Sequence, residues 1–144
     1  MPATPAQQLN TFLRRFTPDV RDTAGAALRA IRAQVPGATE MVYDKARSLV
    51  IGFAPRDRPS EAVLSIALYT KWVNLYFLDG ATLKDPHRLL KGDGNRVRML
   101  RLDDVGVLES APVRALIAEA VKNADAPFAY KGPRRMHIRS TGRR

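Results

Sequence analysis

The chain has 144 residues, 45% of them hydrophobic, and a formal net charge of +10. This length suits one domain, and no run approaches the roughly 18 apolar residues that cross a bilayer. Because the chain has no cysteine, disulfides, thiolate nucleophiles and cysteine-ligated metal centres are excluded. The N-terminus lacks the basic and apolar regions of a signal peptide, so we expect a cytoplasmic protein without a membrane partner.

The positive charge is concentrated near the C-terminus. Residues 131–144 hold six basic residues and no acidic one, which leaves a net charge of +4 for the preceding 130 residues. Such runs are commonly disordered, so we interpret residues 1–126 as the domain and residues 127–144 as a solvated tail. The alternative is a tail that binds nucleic-acid phosphates without sequence preference. Its cations are Lys131, Arg134, Arg135, Arg139, Arg143 and Arg144.

Two helices are predicted at the start of the chain, and each follows a Thr-Pro pair. Thr4 and Thr17 offer capping hydroxyls, and proline is tolerated next to them because the first N–H groups of a helix have no helical partner. Apolar residues then recur at helical spacing, from Leu9 in the first helix and from Val20 in the second. The Pro-Gly pair at positions 36–37 ends the second helix.

Strands follow with short connections. Residues 39–44 alternate in polarity, and residues 46–53 contain an apolar run typical of a strand buried on both faces. Residues 63–69 and 72–78 predict a hairpin that turns at the Thr-Lys pair between them. With a two-residue turn, one face of this hairpin is entirely apolar and the other is mixed.

A short helical turn around residues 86–90, a strand at 96–102 and a helix capped by Ser110 complete the pattern. The strands are mostly joined to one another and not separated by helices. This arrangement favours an α+β fold with an antiparallel sheet of about five strands. The two N-terminal helices and the C-terminal helix are expected to pack on one face of that sheet.

The mixed face of the hairpin is a candidate binding surface. It carries Tyr69, Trp72, Asn74 and Tyr76, whose side chains combine apolar bodies with polar tips, apart from the fully polar asparagine. Such residues are typical of ligand pockets. The alternative is that they fill a second small core beneath the loops, since aromatic residues on strands mostly pack.

A Gly-x-Gly turn before the last predicted strand is a candidate anion site. Gly92 and Gly94, followed by Arg96 and Arg98, would present backbone N–H groups and cations to a phosphate or carboxylate. The alternative is a tight turn in which glycine supplies a positive φ. The segment lacks both the Lys-Ser/Thr ending of a P-loop and the helix of a dinucleotide fingerprint.

Catalytic and metal-binding patterns are sparse. Glu40 and Asp44 share a face of one strand but lie about 13 Å apart, and the acidic pair at 103–104 is typical of a turn. The histidines, His87 and His137, belong to no metal-ligand or Ser–His pattern. We therefore predict no catalytic residue, no metal ligand and no resident cofactor, and we expect a protein that is not an enzyme.

Three stretches occur in an order that periodicity alone does not require. Leu-Arg-Ala-Ile at 28–31, followed by Pro-Gly-Ala-Thr-Glu-Met-Val-Tyr at 36–43, joins a helix to the first strand. Residues 75–83 end a strand in a Gly-x-x-Leu turn, and residues 83–102 run from Leu-Lys-Asp-Pro through Gly-x-Gly to the arginine-bearing strand. Together they resemble the YdhG-like family, a domain of unknown function that includes frataxin-like intracellular iron chaperones.

The resemblance implies a small single-domain α+β fold and, for most members, no settled activity. An iron chaperone would hold its cargo with clustered carboxylates, because hard cations prefer oxygen ligands; the 14 acidic residues of this chain are scattered. We therefore expect a small binding protein that uses the aromatic hairpin face and the Gly-x-Gly turn; its ligand or partner is unknown, and a small anion or a polyanion is the candidate. Iron carriage and nucleic-acid association through the C-terminal tail are the alternatives.

Overall fold

The protein, described over residues 2–140 by a computed structural model, contains three α-helices and one six-stranded sheet, with short 3-10 helices in its loops. None of the described helices is long and apolar enough to cross a membrane. The elements are α1 (Pro5–Leu13), α2 (Pro18–Gln34), β1 (Thr39–Asp44), β2 (Leu49–Ala54), β3 (Leu64–Leu68), β4 (Val73–Phe77), β5 (Arg98–Arg101), α3 (Ala111–Lys122) and β6 (Arg135–Ser140).

The predicted helix signals are confirmed at both N-terminal helices. The Thr4 hydroxyl accepts a hydrogen bond from the Gln7 N–H, while the Gln7 side chain accepts one from the Thr4 N–H; this is a capping box. Thr17 caps α2 in the simpler manner. Ser110 stands at the start of α3 as predicted, but its hydroxyl donates to the Val107 carbonyl and does not cap the helix.

Gly37, at the turn from α2 into β1, is required by both its conformation and its surroundings. Its φ is +84°, which side chains rarely adopt. A Cβ at this position would lie 2.8 Å from the Tyr130 carbonyl oxygen and 2.9 Å from that of Phe128. The C-terminal segment therefore runs directly against this turn before it enters β6.

The strands are ordered β5-β4-β3-β2-β1-β6 across the sheet. All neighbours are antiparallel except β1 and β6, which are parallel. The predicted hairpin register is confirmed, because Leu64 pairs with Phe77 and Leu68 pairs with Val73. At the turn, the backbone N–H of Tyr69 donates to the Trp72 carbonyl. The expected α+β class is likewise confirmed, with one strand more than the five predicted.

The additional strand is β6, which lies in the segment that we interpreted as a solvated tail. Its sequence, Arg-Met-His-Ile-Arg-Ser, alternates apolar and polar residues, and Met136 and Ile138 pack against the core. The charges mask this period-two pattern, which is the signature of a half-buried strand. Residues 135–140 are thus part of the sheet, so the boundary drawn at residue 126 does not mark where the fold ends.

Two other local predictions need correction. Strand β2 begins at Leu49 and not at residue 46, because residues 45–48 form a tight turn in which the Lys45 N–H donates to the Ser48 carbonyl. Residues 86–90 form no helix. The Asp85 carboxylate there accepts hydrogen bonds from the Leu89 and Leu90 N–H groups, and these side-chain bonds take the place of helical bonding.

The core lies between the helices and one face of the sheet. Apolar side chains from β2, β3 and β4 are fully buried against α2 and α3, among them Ile51, Ile66 and Leu75. Two carboxylates of β1 also point towards the helices: Glu40 is held by Arg32 of α2, and Asp44 by Arg15, which follows α1. All three helices therefore contribute to one side, as expected from the sequence, and none is left to cover the other.

Candidate ligand-binding face

We call the side of the sheet opposite the core the helix-free face. Strand pairing and the alternation of side chains define its members. None of its strand positions is acidic, and several are basic or aromatic. They are Thr39, Met41, Tyr43, Val50, Gly52, Ala54, Ser65, Ala67, Asn74, Tyr76, Met99, Arg101, Arg135, His137 and Arg139.

Part of this face is covered by the loop at residues 55–62. Asp57 of that loop lies 3.2 Å from the Arg139 guanidinium and 3.8 Å from the His137 ring. The Pro55 carbonyl accepts a hydrogen bond from Arg135. The Tyr43 hydroxyl also contacts the Met41 sulfur at 3.9 Å, and Met41 is fully buried although no helix lies above it.

The other part of the face, towards the β1–β2 and β3–β4 turns, is open. Tyr43, Tyr69 and Tyr76 are half-buried there, and Trp72 is 39% exposed. Tyr43 on β1 and Tyr76 on β4 are three strand spacings apart, or about 14 Å. The floor between them consists of smaller side chains: Val50, Ser65 and Ala67. We call this low part of the face, between the tyrosines of β1 and β4, the trough; its central Ala67 is only 1% exposed, because larger neighbouring side chains lie around it.

A small polar network forms one wall of the trough. The hydroxyls of Tyr69 and Tyr76 are 2.9 Å apart, and the Asn74 Nδ2 donates to the Tyr76 oxygen. Burial, reinforced by the hydrogen bond to Tyr76 and by the charge of that residue when ionised, raises the pKa of Tyr69 to about 12. The Asn74 Oδ1 is buried and has no hydrogen-bond partner among the described residues.

Basic residues surround the open end of the trough. Leu49 pairs with Leu68, so the β1–β2 turn and the β3–β4 turn lie side by side at one end of the sheet. The final residue of β5 and the penultimate residue of β6 reach the same end. We call the five cations located there the basic rim: Lys45, Arg47, Lys71, Arg101 and Arg139.

Three rim cations have no carboxylate partner among the residues that the structure describes: Lys45, Arg47 and Lys71. Arg101 contacts the Asp103 carboxylate at 3.0 Å and lies over the Trp72 ring, 4.7 Å from its centroid. Arg139 contacts Asp57 as described above. The rim therefore carries more positive charge than its neighbouring acids neutralise.

A cleft of about 140 Å³ adjoins Trp72 at the edge of the trough. It lies between the N-terminal end of α2 and the end of β5, and Lys71, Arg101 and Asp103 contribute to its walls. Tyr69, Asn74 and Tyr76 do not line it. The predicted aromatic residues therefore belong to an open surface with a cleft at its border, a shape suited to an extended partner.

The predicted Gly-x-Gly site is separated from the aromatic residues. Arg98 pairs in register with Phe77, which faces the core, and its guanidinium donates to the carbonyls of Gly94 and Val97. Arg96 forms an ion pair with Asp79. Gly92 has a φ of +132°, which fits the turn interpretation. The arginines of this segment thus bind the turn and its neighbours.

The carboxylates examined as acid–base or metal candidates have structural partners. Arg32 donates to both oxygens of Glu40 at 2.8 Å, and Asp104 accepts from the Gly106 N–H. Among residues 2–140, no group of three or more histidine, aspartate or glutamate side chains is placed to hold a metal ion. No described geometry favours an iron site, and iron carriage stays a prediction of the resemblance alone.

The basic C-terminal segment divides into residues with different surroundings. Lys131 and Arg134 are exposed, while the Arg135 guanidinium lies over the Tyr130 ring at 3.7 Å from its centroid. Arg139 belongs to the basic rim. The predicted cations Arg143 and Arg144 lie outside the described residues.

Tyr43 and the turn cations Lys45, Arg47 and Lys71 were not among the predicted site residues. Tyr43, Lys45 and Arg47 lie close together in the sequence, but Lys71 follows Arg47 by 24 positions. The available signal was the position of the cations in two hairpin turns. Once the hairpins are placed side by side, the cations lie along the same end of the sheet.

Comparisons with known proteins add no further identification. No protein-family model matches the chain, no curated protein matches it, and no solved structure matches it. The helix-free face and its basic rim are therefore the basis on which a function can be argued.

Proposed function

We propose that this chain is a non-catalytic binding protein that holds an anionic partner on the open part of its helix-free face. The observation that carries the proposal is the composition of that face, which combines half-buried tyrosines with cations and has no acidic strand position. A solvated face that served only to keep the protein soluble would mix both signs of charge.

The placement of the cations supports a partner that carries several negative charges. Lys71, Arg101 and Arg139 lie on different strands or turns, spread along one end of the sheet. A single small anion would require cations that converge on one point. A polyanion instead gains from charges distributed along its length, because each contact releases counterions.

The open shape of the surface supports the same partner. Sites for small ligands are usually concave and bury most of the ligand. The cleft beside Trp72 is not lined by Tyr69, Asn74 or Tyr76, so these three residues lie on an open surface and not in a concave site. An extended chain can cross a shallow trough and contact both its walls and its rim. We therefore favour a polyanion over a compact metabolite.

Retention on heparin–agarose tests the proposal. Replacing Lys45, Arg47 and Lys71 with glutamine should lower the salt concentration at which the protein elutes. The slope of log affinity against log salt should become shallower by about two, since each lost phosphate-like contact contributes roughly 0.7 to 0.9. These residues are exposed turn cations, so the variant should keep its fold.

The matched control removes cations from the helical side of the molecule. Arg29 of α2 and Arg114 of α3 are exposed and lie on the opposite layer. Their replacement with glutamine, together with Arg14→Gln, removes the same charge and should change retention much less. Equal losses in the two triple variants would show that only net charge matters and would contradict a binding face.

A further inference from the structure

We infer that the partner of the helix-free face is a single-stranded nucleic acid, whose bases stack on the tyrosines of the trough and whose phosphates contact the basic rim. This inference rests on the proposed function and adds the chemical class of the polyanion. Three features of the face support it: the aromatic rings, the cations and an unpaired polar atom.

The aromatic rings give the first step. Tyr43, Tyr69 and Tyr76 lie on the open part of a sheet, over a floor of smaller residues. Base–aromatic stacking on such a platform tolerates any sequence, because every base has a π-face. A duplex keeps its bases stacked on one another and out of reach, so the platform selects unpaired strands.

The cations give the second step. From Arg101 on β5 to Arg139 on β6, the basic rim follows one end of the whole sheet, a width of five strand spacings or about 24 Å. Lys71 and the pair Lys45 and Arg47 lie between these two arginines, in the hairpin turns. A backbone laid along the rim would meet cations repeatedly while its bases reached inward to the trough.

Asn74 gives the third step. The side chain lies in the trough beside Tyr76, only 6% of the residue is exposed, and its Oδ1 has no partner among the described residues. Such an atom costs stability until a donor reaches it. Arg101, a cation of the basic rim, is opposite Asn74 in the strand register, so a strand whose phosphate contacts Arg101 would hold a base beside Asn74.

An acidic polypeptide is the competing occupant. It would satisfy the basic rim equally well, because carboxylates and phosphates both bind lysine and arginine. It would not use the faces of three tyrosines, since acidic side chains have no ring to stack. The combination of rings and rim therefore favours nucleic acid.

The test measures fluorescence anisotropy with a fluorescein-labelled single strand of about ten nucleotides, a length within the range that one sheet-based module covers. Three matched probes are compared with it: the same strand with abasic sugars, its duplex and an oligoglutamate of equal charge. We expect the intact strand to bind about tenfold or more tightly than the abasic strand. The duplex and the oligoglutamate should also bind more weakly.

Two pairs of variants separate stacking from folding. Tyr76→Leu should weaken binding of the intact strand about tenfold and leave the abasic strand unaffected, while Tyr76→Phe keeps the ring and should change affinity less than about twofold. Tyr43→Leu and Tyr43→Phe repeat the comparison on β1, at the other wall. Urea unfolding of each variant establishes that it is folded.

The results distinguish this inference from the proposed function. If the abasic strand or the oligoglutamate binds as tightly as the intact strand, the bases are not recognised and the inference is wrong, although heparin retention through the rim would still stand. If neither leucine variant weakens binding, the inference also fails. If the rim variant keeps its heparin retention, the proposed function fails as well.

Discussion

At the scale of single residues, Tyr69 offers a direct probe of the helix-free face. Burial, followed by the hydrogen bond to Tyr76, raises the pKa of Tyr69 to about 12, compared with about 10 for tyrosine in an unfolded chain. The folded state therefore holds the proton more tightly. The resulting contribution to stability is fully present below pH 10 and is lost as the pH rises towards 12.

We predict that the tyrosinate absorbance of Tyr69, obtained as the difference between the wild-type protein and Tyr69→Phe, develops near pH 12. Tyr76→Phe removes the hydroxyl partner and should lower this pKa. It should stay above 10, because burial is the larger cause. An ordinary tyrosine titration at this position would show that the Tyr69 side chain is neither buried nor bonded to Tyr76 in solution.

At the scale of elements, the sequence predicts most strands and helices because their signals are local. Thr4 and Thr17 cap where a capping residue is expected, and the alternation in residues 63–78 determines the register of the β3–β4 hairpin. Strand β6 was missed because its pairing partner, β1, lies more than ninety residues earlier. Its apolar positions are also few among many charges.

We predict that β6 contributes to stability through its core-facing side chains. Ile138→Ala should lower the free energy of unfolding in urea by about 1–2 kcal/mol, because the half-buried isoleucine packs against the core. Arg139→Ala, at the next position on the opposite face, loses an exposed ion pair with Asp57 and should cost less than about 1 kcal/mol. Equal, negligible effects would favour the solvated tail.

At the scale of the whole molecule, the candidate site could be predicted only in part. Tyr69, Trp72, Asn74 and Tyr76 were found because the hairpin alternates, a property of one segment. The basic rim depends on strand order, which places the β1–β2 turn beside the β3–β4 turn. No local pattern encodes that neighbourhood. The Gly-x-Gly segment was predicted as an anion site from its local pattern, but its arginines donate to the turn itself and to Asp79, which that pattern does not reveal.

The basic rim also implies a cost to the folded protein. Lys45 and Arg47 in one turn and Lys71 in the next are about 10 Å apart, judged by two strand spacings, and the chain already carries +10. Like charges at this distance repel one another, and the repulsion is strong where the screening length is about 30 Å, in 0.01 M salt. A surface selected for stability alone would not keep them.

We therefore predict that replacing these three cations with glutamine raises the midpoint of thermal unfolding by a few degrees in 0.01 M salt, while it weakens retention on heparin–agarose. The gain should shrink at 0.15 M salt, where the screening length falls to about 8 Å. The triple variant on the helical side, with Arg14, Arg29 and Arg114 replaced by glutamine, shows how much of the rise in the midpoint comes from net charge alone. The additional rise in the rim variant is then the effect of repulsion within the rim. If the rim variant is instead less stable than the wild-type protein at low salt, these cations stabilise the turns. The idea that the rim lowers stability for the sake of binding would then be wrong.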